Sequence, residues 1–280
     1  MIQPLQNDDR LLQDIHAAKE MPDVLHLWWL GQSGYLVQWQ GQHLLLDPYL
    51  SDSLTKKYAN TAKPHVRMTE LVITPERLDF IDVVTSSHNH TDHLDGETLG
   101  PLLRVNPGLT VIVSAANRAF AADRLQVAPE RLTAITLAQP ITVGAFTFHA
   151  VPAAHEQIEQ DEQGHHKFIG LVVEAGPWTI YHSGDTVLYD GMVEILRRWP
   201  IDLALLPING RDAKRGVAGN LSGAEAVQLG KAIDAQLVIP GHYELFEFNT
   251  VTPDEFSQHA SAAEQPYRIL QGGERVDCRK

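Results

Sequence analysis

The feature of this sequence that most constrains its fold and chemistry is a histidine cluster directly after a short apolar run. Residues 87–95 read Ser-His-Asn-His-Thr-Asp-His-Leu-Asp, and the apolar run covers residues 80–84. The cluster offers three imidazoles and one carboxylate within six positions: His88, His90, Asp92 and His93. Such side chains are common ligands of divalent transition metals. A metal site at a strand end is therefore favoured over the alternative, a polar turn with solvated histidines.

Composition limits the classes of protein to consider. The chain has 280 residues, 44% of them apolar and 20% charged, which is enough to bury a large core. No apolar run approaches the roughly 20 residues of a membrane span, and the first residues do not resemble a signal peptide. The single cysteine, Cys278, excludes an intramolecular disulfide and a thiolate metal cage. We expect a cytoplasmic protein without a membrane partner; a homo-oligomer is compatible with the sequence.

The net charge of −13 and the pI near 5.4 bear on the partner. Nucleic-acid binding needs a concentration of Lys and Arg, so no nucleic-acid partner is expected. A small anionic substrate held by a local basic cluster remains compatible with this charge.

The order of predicted elements indicates the fold. Residues 25–47 form a meander of β-rich runs, and strand–helix units follow from residue 80. A second series repeats this order, with strands over 141–182 and further strand–helix units over 203–241. The pattern predicts an α/β protein with one domain over 1–280, an αββα sandwich of two mixed β-sheets with helices on both outer faces.

Several boundaries are specific enough to test. Helices are predicted at residues 8–19, 96–105 and 188–198, and a last strand is predicted at 267–270. The sequence Ser222-Gly-Ala-Glu225 predicts a capping box that opens a further helix.

Three later strand ends carry more metal-competent residues: His155, Asp185 and His242. Metal-ligand geometry divides the candidates into two sets. One set shares a first ion: His88, His90 and His155. The other surrounds a second ion: Asp92, His93 and His242. Asp185 would bridge the two, and the cofactor is expected to be one or two divalent ions. Histidine and carboxylate ligands without cysteine suit Zn²⁺, Mn²⁺ or Fe²⁺ and do not choose among them.

Two other polar regions each have two open interpretations. Asp47 ends a strand and either orients a metal ligand or forms an ordinary turn. The polar residues 51–79 either cover a pocket or form a solvated loop, and this segment collects five basic or titratable side chains: Lys56, Lys57, Lys63, His65 and Arg67.

The ligand pattern resembles the signature of the metallo-β-lactamase superfamily. The motif at residues 88–93 is followed in order by His155, Asp185 and His242, and the resemblance includes residues 29–35. It implies a hydrolase of this fold in which a metal-bound hydroxide attacks an ester, lactone, amide or phosphodiester. The expected catalytic carboxylates, which would hold the hydroxide and accept its proton, are Asp92 and Asp185.

The second half looks like the L-ascorbate-6-phosphate lactonase subgroup, through residues 207–212, 219–222 and 240–243. This resemblance implies a small-molecule substrate, a sugar-acid lactone with or without phosphate, and manganese. The candidate substrate contacts are Asn209, Arg211, Lys214, Arg215, Asn220 and Tyr243. The three basic residues would clamp a phosphate, and a solvated basic loop is the alternative.

Two other functions stay open. The stretch 87–95 also looks like that of phosphodiesterases of the same superfamily, including relatives of N-acyl-phosphatidylethanolamine phospholipase D. A non-catalytic metal-binding protein of this fold is the third possibility.

Overall fold

The structure is a computed structural model that describes residues 1–280. Its strands are β1 (Leu25–Gly31), β2 (Gly34–Trp39), β3 (Gln42–Leu46), β4 (Val83–Ser86), β5 (Thr110–Ser114), β6 (Leu132–Ile135), β7 (Ile141–Val143), β8 (Phe146–Pro152), β9 (Ile169–Ala175), β10 (Trp178–His182), β11 (Leu203–Pro207), β12 (Leu237–Gly241) and β13 (Arg275–Cys278). Its helices are α1 (Asp8–Ala18), α2 (Ser53–Tyr58), α3 (Gly96–Val105), α4 (Arg118–Leu125), α5 (Met192–Leu196), α6 (Gly223–Ala232) and α7 (Asp254–Ala262).

The strands form two mixed sheets with related topologies. The first has the order β13-β1-β2-β3-β4-β5-β6 and the second β12-β11-β10-β9-β8-β7. In the first sheet the pairs from β13 to β3 are antiparallel, and those from β3 to β6 are parallel. In the second sheet β7 to β10 pair antiparallel, whereas β10, β11 and β12 pair parallel. Each half therefore combines a meander with a parallel part.

The main core lies between the sheets. Inward side chains such as Leu27 and Val37 of the first sheet share one cluster with Phe148 and Val172 of the second. Because side chains alternate along a strand, Trp28 of β1 points the other way and packs with the helices of a second cluster. Helices α1, α3 and α4 contribute to that outer cluster, and α5, α6 and α7 pack against the second sheet. The predicted αββα sandwich is confirmed.

Most predicted boundaries are confirmed, and two are wrong. Helix α1, helix α3 and the capping box of Ser222 lie where the sequence predicts them. The helix predicted at 188–198 shortens to α5 because Gly191 precedes it with φ +85°. Residues 267–270 form only an isolated bridge, and the last strand is β13. None of the helices is long and apolar enough to cross a membrane.

Candidate metal centre

The candidate ligands meet because the strands that precede them end at one edge of the sandwich. The cluster of residues 88–93 follows β4, His155 follows β8, Asp185 follows β10 and His242 follows β12. Loops at such strand ends are positioned by the rigid sheets below them. Both sheets therefore contribute ligands to a single site.

The first predicted set is compact. The imidazole of His90 lies with its centroid 4.7 Å from that of His88 and 5.0 Å from that of His155. Ligand atoms of the three residues lie within 4.8 Å of one another. The Nδ1 of His155 donates to the carbonyl of Gly219 at 3.0 Å, which leaves its Nε2 with a free lone pair for an ion.

The second predicted set is equally close, and Asp185 stands between the two. Ligand atoms of Asp92, His93 and His242 also lie within 4.8 Å of one another. The carboxylate of Asp185 is 3.2 Å from His93 Nε2, 3.5 Å from His242 Nε2 and 3.7 Å from His155 Nε2. The structure thus brings all seven predicted ligands together, with Asp185 reaching both sets.

Buried atoms without partners show that these residues fit a cation. The Nε2 of His88 is buried and makes no hydrogen bond, and the Nε2 of His93 and the Oδ1 of Asp185 are buried 3.2 Å apart without the geometry of a hydrogen bond. Buried polar atoms are normally paired, because leaving one unpaired costs about 1–3 kcal/mol. Three such atoms in one cluster of imidazoles and carboxylates are explained if a divalent ion is their partner.

The electrostatics of the cluster favour ionised carboxylates. Burial raises the pKa of Asp185, but His93 and His242 outweigh it and hold that pKa well below its usual range. Burial likewise opposes ionisation of Asp92, and His93 again lowers its pKa. Burial lowers the pKa of His88 well below its usual value, so this ring is neutral. The pKa of His242, which burial alone would lower, is raised to about 9 by Asp185 and Asp92.

Asp47 supports the site from beneath. It is fully buried, its Oδ2 accepts from His93 Nδ1 at 2.7 Å, and its Oδ1 accepts from the backbone N–H of Ser87 at 3.0 Å. The hydroxyls of Ser87 and Thr85 also donate to this carboxylate. Ligand atoms of Asp47, His88 and His93 also lie within 4.8 Å of one another, as in a metal site. The oxygens of Asp47, however, already accept the hydrogen bonds from His93, Ser87 and Thr85. Of its two interpretations, orientation of a ligand is the one realised.

A close approach between the two sheets needs glycine. A Cβ built on Gly184 would lie 2.8 Å from the side chain of Ser87 and 2.8 Å from the carbonyl of Ile169. Gly184 also has φ +58°, which disfavours other residues. This glycine lets the segment that carries Asp185 approach the segment that carries the histidine cluster.

A cavity of about 270 Å³ opens over the ligands. Its floor includes His90, Asp92, His155, Asp185 and His242. Its walls come from the segment after β3, from the loop after β4, from α4 and from the loops before α6 and after β12. The wall residues are Leu54, Lys57, Tyr58, His65, Asn89, Thr91, Arg124, Val217, Ala218, Asn220, Phe246, Phe248 and Asn249. Of the two interpretations of residues 51–79, the one in which the segment covers a pocket is realised at Lys57 and His65.

The three polar residues predicted as sugar contacts lie at different distances from the cavity. Asn220 lines the cavity, and its Nδ2 donates to Asn209 Oδ1 at 3.0 Å, so Asn209 lies directly behind it. Tyr243 is buried, stacks on Trp29 and donates to the carbonyl of Leu270, away from the cavity.

The predicted phosphate clamp does not line the cavity. Arg211 pairs with Glu225, the capping-box residue of α6. Arg215 donates to the carbonyls of Asn209 and Thr250, and Lys214 is exposed. The cations that do line the cavity were not singled out from the sequence as substrate contacts: Lys57 and Arg124.

Comparison with known proteins agrees with this geometry. A family profile described as a β-lactamase superfamily domain matches residues 42–243, which include every candidate ligand. The chain belongs to the metallo-β-lactamase superfamily. A UPF0173 metal-dependent hydrolase of Saccharolobus solfataricus is 25% identical over 257 residues, covering 90% of this chain and 99% of the relative. A UPF0173 metal-dependent hydrolase of Caldivirga maquilingensis is 27% identical over 232 residues, covering 82% of this chain and 87% of the relative. The chain is a metal-dependent hydrolase of this superfamily.

Solved structures show the same fold. An isothiocyanate hydrolase from Delia radicum gut bacteria superposes with a TM-score of 0.71 at 20% identity, covering 90% of this chain and 98% of that one. The metallo-β-lactamase fold protein YhfI of Bacillus subtilis gives a TM-score of 0.66 at 20% identity, with coverage of 91% and 100%. At this identity the likeness concerns the fold alone.

Proposed function

We propose that this hydrolase opens a small sugar-acid lactone in the cytoplasm, with or without a phosphate, such as L-ascorbate 6-phosphate. The observation that carries the proposal is the cavity of about 270 Å³ over the ligand cluster. A concave site of this size suits a small molecule rather than a polymer. The amides of Asn89, Asn220 and Asn249 line it and offer both donors and acceptors to the hydroxyls of a sugar acid.

The residues of the chain suit ester hydrolysis without a nucleophilic side chain. Divalent ions held by the seven ligand residues would lower the pKa of water and polarise the scissile carbonyl. Asp185 stays ionised between His93 and His242, and its carboxylate would orient a water molecule and accept its proton. Asp92 is the second ionised carboxylate on the cavity floor. Asn220, held by Asn209, would orient the substrate.

Two cations on the cavity wall favour an anionic group on the substrate. Lys57 forms no ion pair, unlike its neighbour Lys56, which pairs with Glu97, and its Nζ lies 5.0 Å from the centroid of the Tyr58 ring. Arg124 donates through Nη1 to the carbonyls of Asn89 and Leu94, which leaves its other N–H groups free for an anion. We assign a substrate phosphate to Lys57 and Arg124. The same pair favours the second candidate function, hydrolysis of a small phosphodiester.

A substrate panel tests the proposal. The protein, loaded with either Mn²⁺ or Zn²⁺, is assayed with phosphorylated and unphosphorylated sugar-acid lactones and with bis-p-nitrophenyl phosphate. Lactone opening is the expected result. Turnover of the diester without lactone opening would favour the phosphodiesterase, and metal binding without any turnover would favour a non-catalytic metal-binding protein.

A further inference from the structure

A row of three asparagine side chains connects two segments of the cavity wall. Asn220 and Asn249 line the cavity, and Asn209 lies between them. Asn209 and Asn220 face each other because the loop over residues 211–219 is closed at its base, where the backbone N–H of Asn220 donates to the carbonyl of Gly210 at 3.1 Å. Asn220 Nδ2 donates to Asn209 Oδ1 at 3.0 Å, and Asn209 Nδ2 donates to Asn249 Oδ1 at 3.0 Å. The three amides therefore form one continuous chain of hydrogen bonds.

A guanidinium group fixes the direction of this chain. Arg215 Nη1 donates to Asn249 Oδ1 at 3.4 Å, and its other bonds go to the carbonyls of Asn209 and Thr250. A guanidinium only donates, so the oxygen of the Asn249 amide, and not its nitrogen, faces Arg215. Asn209 must then present its nitrogen to Asn249 and its oxygen to Asn220. Reversal of any one amide would set two donors or two acceptors against each other.

The direction of the chain leaves one acceptor without a partner. Asn220 is 1% exposed, and its Oδ1 is buried and accepts no hydrogen bond from the protein. The nitrogen of this amide is held by Asn209, so the amide does not turn to exchange its two ends. Buried polar atoms are normally paired. Because Asn220 lines the cavity, a molecule bound there can supply the donor that this oxygen lacks.

The other end of the chain offers the opposite group. Both hydrogen bonds of the Asn249 amide use its oxygen, which leaves its nitrogen available as a donor on the cavity wall. The acceptor of Asn220 also lies beside the ligand cluster, since the carbonyl of the adjacent Gly219 accepts from Nδ1 of His155. The wall therefore presents an acceptor and a donor at defined places, and not two amides that adapt to any polar group.

We propose that Asn220 selects substrates with a free hydroxyl group, which donates to its Oδ1, and that Arg215 is the positioning residue that holds this acceptor in place. A substrate with an ether oxygen or a fluorine at this point leaves Oδ1 unpaired, and it binds about 10–100-fold more weakly. The proposal rests on the proposed function, since it takes this cavity as the substrate site.

Binding of a molecule that the enzyme does not hydrolyse tests this selection without turnover. The probe is the ring ether of L-gulono-γ-lactone, in which a methylene group replaces the lactone carbonyl, and each analogue carries fluorine in place of one hydroxyl. Calorimetry with the Zn²⁺-loaded full chain gives their Kd values. In the wild type, we expect at least one analogue to bind about 10–100-fold more weakly than the parent. In Asn220→Leu, the parent should bind as weakly as that analogue.

A matched control separates the acceptor from general effects of removing a buried amide. Asn117 is also buried, and its Nδ2 donates to the carbonyl of Lys167 outside the cavity. Asn117→Leu should therefore keep the selectivity of the wild type.

The role of Arg215 is tested by the ratio of the Kd values of the analogue and the parent. Arg215→Met removes the donor that orients Asn249, so the amides can reverse, and we expect the ratio to fall about threefold or more. Arg215→Lys still donates and should keep most of the ratio. Arg211→Met is the control, because Arg211 lies in the same loop but pairs with Glu225. An equal fall in the control would remove Arg215 from the proposal.

Three other results would overturn the proposal. They are no binding of the parent to the wild type, equal Kd values for the parent and every analogue, and selectivity that persists in Asn220→Leu. Loss of bound metal in that variant would also overturn it, because Oδ1 would then be a metal ligand. If Asn220→Leu does not fold, Asn220→Ala tests the same loss of the acceptor. Selective binding without turnover of any lactone would reject the lactone assignment alone.

Discussion

Replacing Asp47 with Asn should weaken metal binding although Asp47 is not proposed as a ligand. In the wild type, Oδ2 accepts from His93 Nδ1 at 2.7 Å, so Nδ1 keeps its proton and Nε2 is the ring atom left to bind an ion. An amide nitrogen at this place would donate to Nδ1 instead, and the ring would move its proton to Nε2. That tautomer cannot bind an ion through Nε2.

The other orientation of the new amide is also unfavourable. With its nitrogen at the Oδ1 position, it would face the backbone N–H of Ser87, which now donates there at 3.0 Å. Two donors would then oppose each other in a buried site, at a cost of about 1–3 kcal/mol. Loss of a hydrogen-bond partner behind a metal ligand typically costs about 10–100-fold in affinity, or about 1.4–2.7 kcal/mol.

Competition between the protein and a chromophoric chelator for Zn²⁺ measures this affinity. Asp82→Asn is the matched control, since Asp82 accepts from the backbone N–H of His43 at 2.8 Å in the same sheet but outside the site. We expect the control to bind Zn²⁺ like the wild type. A Kd for Asp47→Asn within twofold of the wild type would refute the argument that Asp47 sets the tautomer of His93.

Metal loading, substrate binding and acid stability provide separate checks. His155→Ala should lose bound metal and all hydrolysis, whereas His149→Ala, outside the site, should lose neither in elemental analysis and turnover assays. Lys57→Ala should raise KM about tenfold for a phosphorylated lactone only, with Lys214→Ala as control; an equal rise for the unphosphorylated analogue would remove Lys57 from the anion contact. Burial lowers the pKa of His43 from 6.5 to about 4, so its contribution to the free energy of unfolding is complete above pH 6.5 and falls by about 3 kcal/mol toward pH 4. Urea unfolding of the wild type and His43→Leu measures this loss, and an equal loss in both would contradict it.

The clustering of the candidate ligands could be predicted from the sequence because their pattern is local. Each one directly follows an apolar strand, and the spacing within residues 88–93 restricts which side chains share an ion. The support from Asp47 was one of two interpretations, since a strand-end aspartate is also a common turn residue. Gln32 lies within residues 29–35, which carry part of the resemblance, but no role at the site was predicted for it, although its Nε2 donates to Asp92 Oδ2 at 2.8 Å.

The cavity wall could not be predicted because it depends on contacts between distant segments. Arg211 looked like a phosphate ligand, but the acid that caps α6 pairs with it. Tyr243 adjoins a ligand in sequence, yet its ring turns into the core against Trp29. Strand β13 is short and only partly buried, so it lacks the apolar alternation that marks a strand.

The origin of the ligands in both sheets has a consequence for the lifetime of the protein. A bound ion would link segments that are distant along the chain, and it would be released when the chain unfolds. An ion present at a thousand times its Kd adds about 4 kcal/mol to the free energy of unfolding. A cell short of metal would hold the same chain in a form that opens more often to proteases, so its abundance would follow the metal supply.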